Sequence, residues 1–228
     1  GDLLSVDFAV HLDGWCADAA FSVAVGDRPD PRDLALIDTT ERALAAGIAA
    51  MAPGVQMGDV AHAIGTVARS AGFGMLADHG GHGVGRSMHE EPHVANEGKP
   101  RRGLKLQPGL VIAIEPMLIA GGTDGYRHDR DGWTIRTADG SRAAHAEHTI
   151  AVVPDGARVL TAAVSRKDGK DWRAAIASAK EAAQAAIAKA DPQYSYMKAI
   201  REALPDDGIV VDEVTQLGYI LWYGYPVH

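Results

Sequence analysis

The sequence is short of cysteine: Cys16 is the single thiol in 228 residues. One cysteine excludes an internal disulfide framework and suits a reducing cytoplasm. Basic residues are also in deficit, with 22 Lys and Arg against 30 Asp and Glu, for a net charge of −8. That balance supplies no positive field for nucleic acid. No apolar run is long enough to span a bilayer and no signal peptide is visible, so no membrane partner is expected. Aromatics make up only 6% of the chain, yet 46% of it is hydrophobic, enough to bury the core of one large domain. No internal repeat is visible. Polar ends are missing too. The chain opens without Met at Gly1-Asp2-Leu3-Leu4 and closes on the apolar stretch Ile220 to His228. Chain ends are usually exposed and loosely ordered, so further sequence is expected on both sides.

What the chain does have is a dense glycine and histidine stretch, Asp78-His79-Gly80-Gly81-His82-Gly83-Val84-Gly85-Arg86-Ser87-Met88-His89-Glu90-Glu91-Pro92. Glycines at this density mark backbone that turns or approaches something closely. Histidines among them are suited to bind metal or move protons near neutral pH. The plainer alternative is a surface loop with incidental histidines, and the acids elsewhere in the chain weigh against it.

Leu3 to His11 reads as a strand, Asp13-Gly14 as a hairpin turn and Trp15 to Val25 as the returning strand. With the turn centred there, Asp7 faces Ala20 and Asp18 faces Ala9. The two aspartates then share one face as diagonal neighbours, about 7–8 Å apart at Cα. Such a pair repels unless a cation lies between; the alternative is that one of them points to solvent. Arg32 to Met51 reads as a helix with Leu34, Ile37, Leu44 and Ile48 on its apolar face. A second helix opens at Gly58-Asp59 and ends near Gly72, with His62 on its surface. Leu110 to Ile114 is a strand buried on both faces, ending in Glu115. Gly121 to Gly132 reads as a polar turn region. Trp133 to Thr137 is a strand, Asp139-Gly140 a hairpin turn, and Ala144 to Val153 a strand carrying Glu147. A buried Glu115 needs an arginine or a metal. Glu147 needs a partner too, unless it faces solvent from an edge strand.

Asp7, Asp18, His82, Glu115 and Glu147 thus form an oxygen-rich set with one imidazole, which suits divalent Mn, Fe, Co or Zn. This many protein ligands suits two ions with bridging carboxylates rather than one ion with open positions. His89, seven residues after His82, is placed to donate to a developing oxyanion.

These residues, in this order and with Gly81-His82-Gly83-Val84-Gly85, Met88-His89-Glu90-Glu91-Pro92, Ile114-Glu115-Pro116-Met117, Asp131-Gly132-Trp133-Thr134 and Glu147-His148-Thr149 around them, resemble type I methionine aminopeptidases. The resemblance covers residues 1–161. It implies an α+β pita-bread fold of the aminopeptidase/creatinase kind, a curved antiparallel sheet with helices. It implies removal of the initiator methionine from nascent polypeptides with a small second residue, in the cytoplasm, with the ribosome as one setting. It implies two divalent ions. Asp7 would chelate one, Asp18 and Glu147 would bridge, and His82 and Glu115 would complete the other. Glu115 would also accept a proton from the nucleophilic water, and His89 would contact the scissile peptide or its tetrahedral intermediate. Met88 and Trp133 fall at walls of the methionine pocket, Met88 in place of a more usual aromatic. The family also has a portion ahead of the equivalent of Gly1, with further strands, helices and pocket wall. A binding protein of the same fold without activity is the alternative function.

Residues 162–171 read as a charged linker. The run Met197-Lys198-Ala199-Ile200-Arg201-Glu202-Ala203-Leu204-Pro205-Asp206-Asp207-Gly208-Ile209-Val210-Val211-Asp212-Glu213-Val214-Thr215-Gln216 gives residues 172–228 a resemblance to the start of the diphosphate-binding domain of thiamine-diphosphate enzymes of the acetolactate-synthase type, a partial α/β tail. The motif that holds magnesium and diphosphate in that family is absent from this sequence. A thiamine-diphosphate lyase or synthase fragment is a further alternative, and a helical cap is the simpler account of the tail.

Overall fold

The computed structural model describes residues 1–26 and 28–161; the expected linker at 162–171 and the thiamine-enzyme-like segment at 172–228 lie outside the described residues. Strand β1 (Leu3–Leu12) and strand β2 (Trp15–Ala24) form the expected hairpin. Asp13 and Gly14 both take positive φ, 51° and 78°, the handedness that a two-residue hairpin turn needs to match the strand twist. The register pairs Asp7 with Ala20 and Asp18 with Ala9, so the two aspartates share a face as the turn position predicts.

Helix α1 (Pro31–Ala49) starts where the Asp30 carboxylate accepts from the Arg32 backbone N–H at 2.9 Å. Pro31 has its φ already set for a first helical turn. Helix α2 (Met57–Ser70) starts where Asp59 Oδ2 accepts from the Gln56 N–H at 3.0 Å. One expected core position is corrected. Leu34 is 47% exposed, and fully buried Leu36 takes its place. The buried stripe of α1 includes Leu36, Thr40, Ala43, Leu44 and Gly47. Small and hydroxyl residues make up much of it, because α2 comes close: a Cβ on Gly47 would run into Ile64. Such a stripe carries few large apolar residues to mark it in the sequence.

The remaining strands are β3 (Gly74–Met75), β4 (Gly80–Gly83), β5 (Glu90–Ala95), β6 (Val111–Ile114), β7 (Met117–Ile119), β8 (Tyr126–His128), β9 (Ile135–Thr137), β10 (Ala143–His145), β11 (Glu147–Val153) and β12 (Gly156–Val159). The main sheet runs β1-β2-β11-β6-β4-β5, with β12 on the remaining part of β11. Every pairing in it is antiparallel. This is the α+β class that the sequence implied. Among the described residues no helix is long and apolar enough to cross a membrane.

Two sequence expectations fail around Asp139-Gly140. Gly140 does turn the chain, with φ 74°. However, β9 pairs backwards with β8, Tyr126 opposite Thr137, inside the region expected to be only a polar turn. Asp129 and Asp131 make that hairpin: Asp131 Oδ1 accepts from the N–H groups of Trp133 and Thr134 at 2.9 and 2.8 Å. The strand expected over 144–153 is split at Ala146. β10 pairs with β7 in a small sheet, while β11 enters the main sheet between β2 and β6.

Alternation along β6 and β11 sends Ile112, Ile114, Ile150 and Val152 to the face covered by α1 and α2, where all are at most 1% exposed. Each such side chain contributes about 1.5–3 kcal/mol by leaving water. The opposite face carries Ala113, Glu115, Glu147 and Thr149. The helix-side face of the β1–β2 hairpin has no such cover among the described residues, and Phe8, Val10, Leu12 and Trp15 are 38–71% exposed there.

Glycine is required at Gly81, because a Cβ there would collide with the Ala113 carbonyl oxygen on β6. That neighbour is backbone and cannot rotate aside. Gly81→Ala is therefore expected to cost at least about 1–3 kcal/mol, the usual range for overpacking, as read by thermal or urea unfolding.

Candidate metal centre

The face of the main sheet opposite the helices gathers the five residues singled out by the sequence. β1 contributes Asp7, β2 Asp18, β4 His82 and β11 Glu147, while Glu115 directly follows β6. Asp18, His82, Glu115 and Glu147 are 2–9% exposed. Asp7 stands at the mouth, its side chain 58% exposed. His82 Nε2 lies 3.6 Å from Glu115 Oε1 and 3.8 Å from Asp18 Oδ2. Its Nδ1 is 2.9 Å from the Gly83 carbonyl oxygen. A carbonyl only accepts, so Nδ1 carries a proton, and Nε2 is the ring nitrogen turned toward the carboxylates.

Hydroxyl groups hold the strands that carry these side chains. Regular pairing between β2 and β11 covers Glu147 with Ala20 and His148 with Ala19. Beyond it, Thr149 Oγ1 accepts from the Asp18 N–H and donates to the Asp18 carbonyl, both at 2.8 Å. On the other side Ser22 Oγ accepts from the His145 N–H at 2.9 Å and donates to the His145 carbonyl at 2.8 Å. The Asn96 side chain donates to the Glu115 carbonyl at 3.0 Å. Asp18 and Glu115 are thus fixed at their own backbones, and Glu147 by the strand ladder.

The charges on this face oppose one another. Burial raises the carboxyl pKa of Glu147 to about 10, helped by nearby Glu115, Asp18 and Asp7. Asp18 is also raised, by burial first and by Asp7 next. Asp7 is raised chiefly by burial, against the pull of His145. Glu147 Oε1 is buried with no hydrogen-bond partner among the described residues. A carboxylate oxygen aimed at other carboxylates and satisfied by nothing fits a cation. Two groups of candidate ligand atoms, Asp18–His82–Glu147 and Glu115–His145–Glu147, each lie within 4.8 Å of one another. Their donors fit hard or borderline divalent ions.

His145 is the member that the sequence reading missed. Alternation offered the signal, since His145 and Glu147 are two residues apart in a segment read as one strand. His89 is exposed, and its ring lies 4.4 Å from that of His82, at the rim of the cluster. Met88 is half-buried beside it. Trp133 is 84% exposed, with only its backbone N–H held by Asp131, and an indole so open does not by itself enclose a side chain.

The raised acids fix the sign of a pH effect. The Glu147 proton is held more tightly in the folded chain, near pKa 10, than at the ordinary value of 4.5. Its contribution to stability is complete below about pH 4.5 and is lost as pH rises toward about 10. In chelator, the melting temperature is therefore expected to fall across this window, and Glu147→Gln to flatten the fall. Divalent metal should raise the melting temperature most at the alkaline end, because it takes the place of the proton.

Comparison with known proteins agrees with this geometry. Methionine aminopeptidase 1 of Mycobacterium tuberculosis is 53% identical over 167 residues, covering 71% of this chain and 62% of the relative. The chain spans about three-fifths of the length of the curated relatives it matches, 62–64% in the first of them. The crystal structure of methionine aminopeptidase from Rickettsia prowazekii superposes with a TM-score of 0.68 at 37% identity, over 71% of this chain and 64% of that one. Prolidase from Pyrococcus furiosus superposes with a TM-score of 0.57 at 22% identity, covering 71% of this chain and 41% of that one, a likeness of fold alone. The fold is the pita-bread fold, a curled antiparallel sheet with two helices. The model of metallopeptidase family M24 matches residues 1–154, and the chain belongs to that family.

Proposed function

We propose that this chain carries the catalytic centre of a methionine aminopeptidase, which removes the initiator methionine from nascent polypeptides whose second residue is small. The observation that carries the reading is the pair of ligand groups that share Glu147, whose buried Oε1 has no partner among the described residues. Asp7, Asp18, His82, Glu115 and Glu147 would hold two divalent ions, drawn from Co, Mn, Fe or Zn. Such ions supply a lowered pKa for water and polarisation of a carbonyl oxygen.

The chain's own groups account for the rest. Glu115, held at its backbone by Asn96, accepts a proton at a carboxylate oxygen. His89, exposed at the rim against His82, donates from a ring N–H to the carbonyl oxygen of the scissile peptide. Met88, half-buried beside His89, and Trp133 serve as contacts for the methionine side chain. Polypeptide N-termini emerging at the ribosome are the partners, and the cytoplasm is the compartment. A net charge of −8 supports a reading without nucleic acid as substrate.

The test is release of free methionine from a Met-Ala peptide, with Mn or Co added and with chelator. Metal-dependent release is expected, and Asp18→Ala or Glu147→Ala should lower it by at least about 100-fold. Release that survives both chelation and these substitutions would defeat the reading. So would absence of release from a chain that binds the ions.

A further inference from the structure

Beside the five expected residues stands His145, which closes β10 two residues before Glu147. Three independent features of it point one way. Its side chain is 13% exposed, and its Nε2 is buried with no hydrogen-bond partner among the described residues. That nitrogen lies 3.4 Å from Glu115 Oε2 without the alignment of a hydrogen bond. Its backbone is pinned at both N–H and carbonyl by Ser22 Oγ, at 2.9 and 2.8 Å, and its strand is paired with Met117 of β7.

A buried imidazole nitrogen left unpaired is costly, and the pinned backbone keeps His145 on the strand face that looks into the site. Among the candidate ligands described, the other buried orphan is Glu147 Oε1. Both orphan-bearing side chains belong to the same group of candidate ligand atoms, Glu115–His145–Glu147. Two unsatisfied polar atoms in one group of candidate ligands, beside the Glu115 carboxyl, describe a place for a cation. Asp7 Oδ2 lies 4.0 Å from His145 Nδ1, beyond hydrogen-bond reach, so Asp7 borders the imidazole without holding it.

We propose that His145 is a further metal ligand: its Nε2, with oxygens of Glu115 and Glu147, holds one divalent ion of the centre. The centre then has two imidazoles, His82 in one group and His145 in the other. An added nitrogen favours borderline ions such as Zn and Co over Mn, which prefers oxygen. This inference rests on the metal centre described under the proposed function.

The test loads the chain with Co(II), Zn(II) or Mn(II) and compares wild type with His145→Gln, His145→Ala and Glu147→Gln. The first readout is the set of strongly shifted imidazole N–H proton signals in the Co(II) form. Wild type should give two and His145→Gln one. The second is calorimetric affinity, where both His145 variants should lose about 10–100-fold for Zn(II) and Co(II). The loss for Mn(II) should be smaller. If His145→Ala does not fold in chelator, His145→Gln carries the comparison, since it keeps a polar side chain of similar reach. An unchanged signal count and unchanged Zn(II) affinity in the His145 variants, with binding lost in Glu147→Gln, would overturn the role of His145 and leave the centre intact. Binding that no substitution alters would overturn both.

Discussion

Four carboxylates converge on one face of the main sheet, and their mutual repulsion is the constraint to which the rest of the structure answers. Asp7, Asp18 and Glu147 come from separate strands and Glu115 from the end of another, and the pKa of Glu147, raised first by burial, is lifted further by all three of the others. An arrangement of this kind persists only where the backbone is held from elsewhere and where something positive, a proton or a metal ion, can enter. Both conditions are met. The helices bury the opposite face of β6 and β11, and the apolar contacts made there stabilise a sheet whose functional face is electrostatically unfavourable on its own.

The holding is done by small groups. Gly81 lets β4 lie against β6, with His82 next in sequence. Ser22 and Thr149 stand in for backbone partners where β10 and β11 leave the ladder of β2. The split at Ala146 belongs to the same scheme. It lets β10 pair with β7 while β11 runs between β2 and β6, and His145 and Glu147 still enter one site. A continuous strand over these residues would have to choose one set of partners.

The helix-side faces of the two parts of the sheet are treated differently. Behind β11 and β6 lies the closed core with α1 and α2. Behind β1 and β2 lie exposed apolar side chains, with the Arg86 guanidinium over the Trp15 ring at 3.7 Å. Asp7, the one exposed acid of the centre, belongs to this less covered hairpin. Its geometry therefore depends on the strand pairing of β1 with β2 rather than on packing from behind.

The sequence by itself determined the local features. Asp13-Gly14 marks the turn, and a two-residue turn with period-2 alternation sets the face of Asp7 and Asp18 without any distant contact. The apolar run ending at Glu115 announced a buried carboxylate, and the order of acids and histidine in their motifs identified the centre and its family. Tertiary structure alone decided which strands neighbour which. The pairing of β8 with β9 depends on Asp129 and Asp131 capping a turn, and the division at Ala146 depends on β7 and β6 competing for adjacent residues. It also decided that Leu36 rather than Leu34 faces the core, because the stripe is set by how closely α2 approaches. His145 belongs to this second class. Alternation puts it on the face of Glu147, but a histidine is ambiguous in sequence, and burial, a pinned backbone and an unpaired Nε2 beside Glu115 give it a chemical meaning.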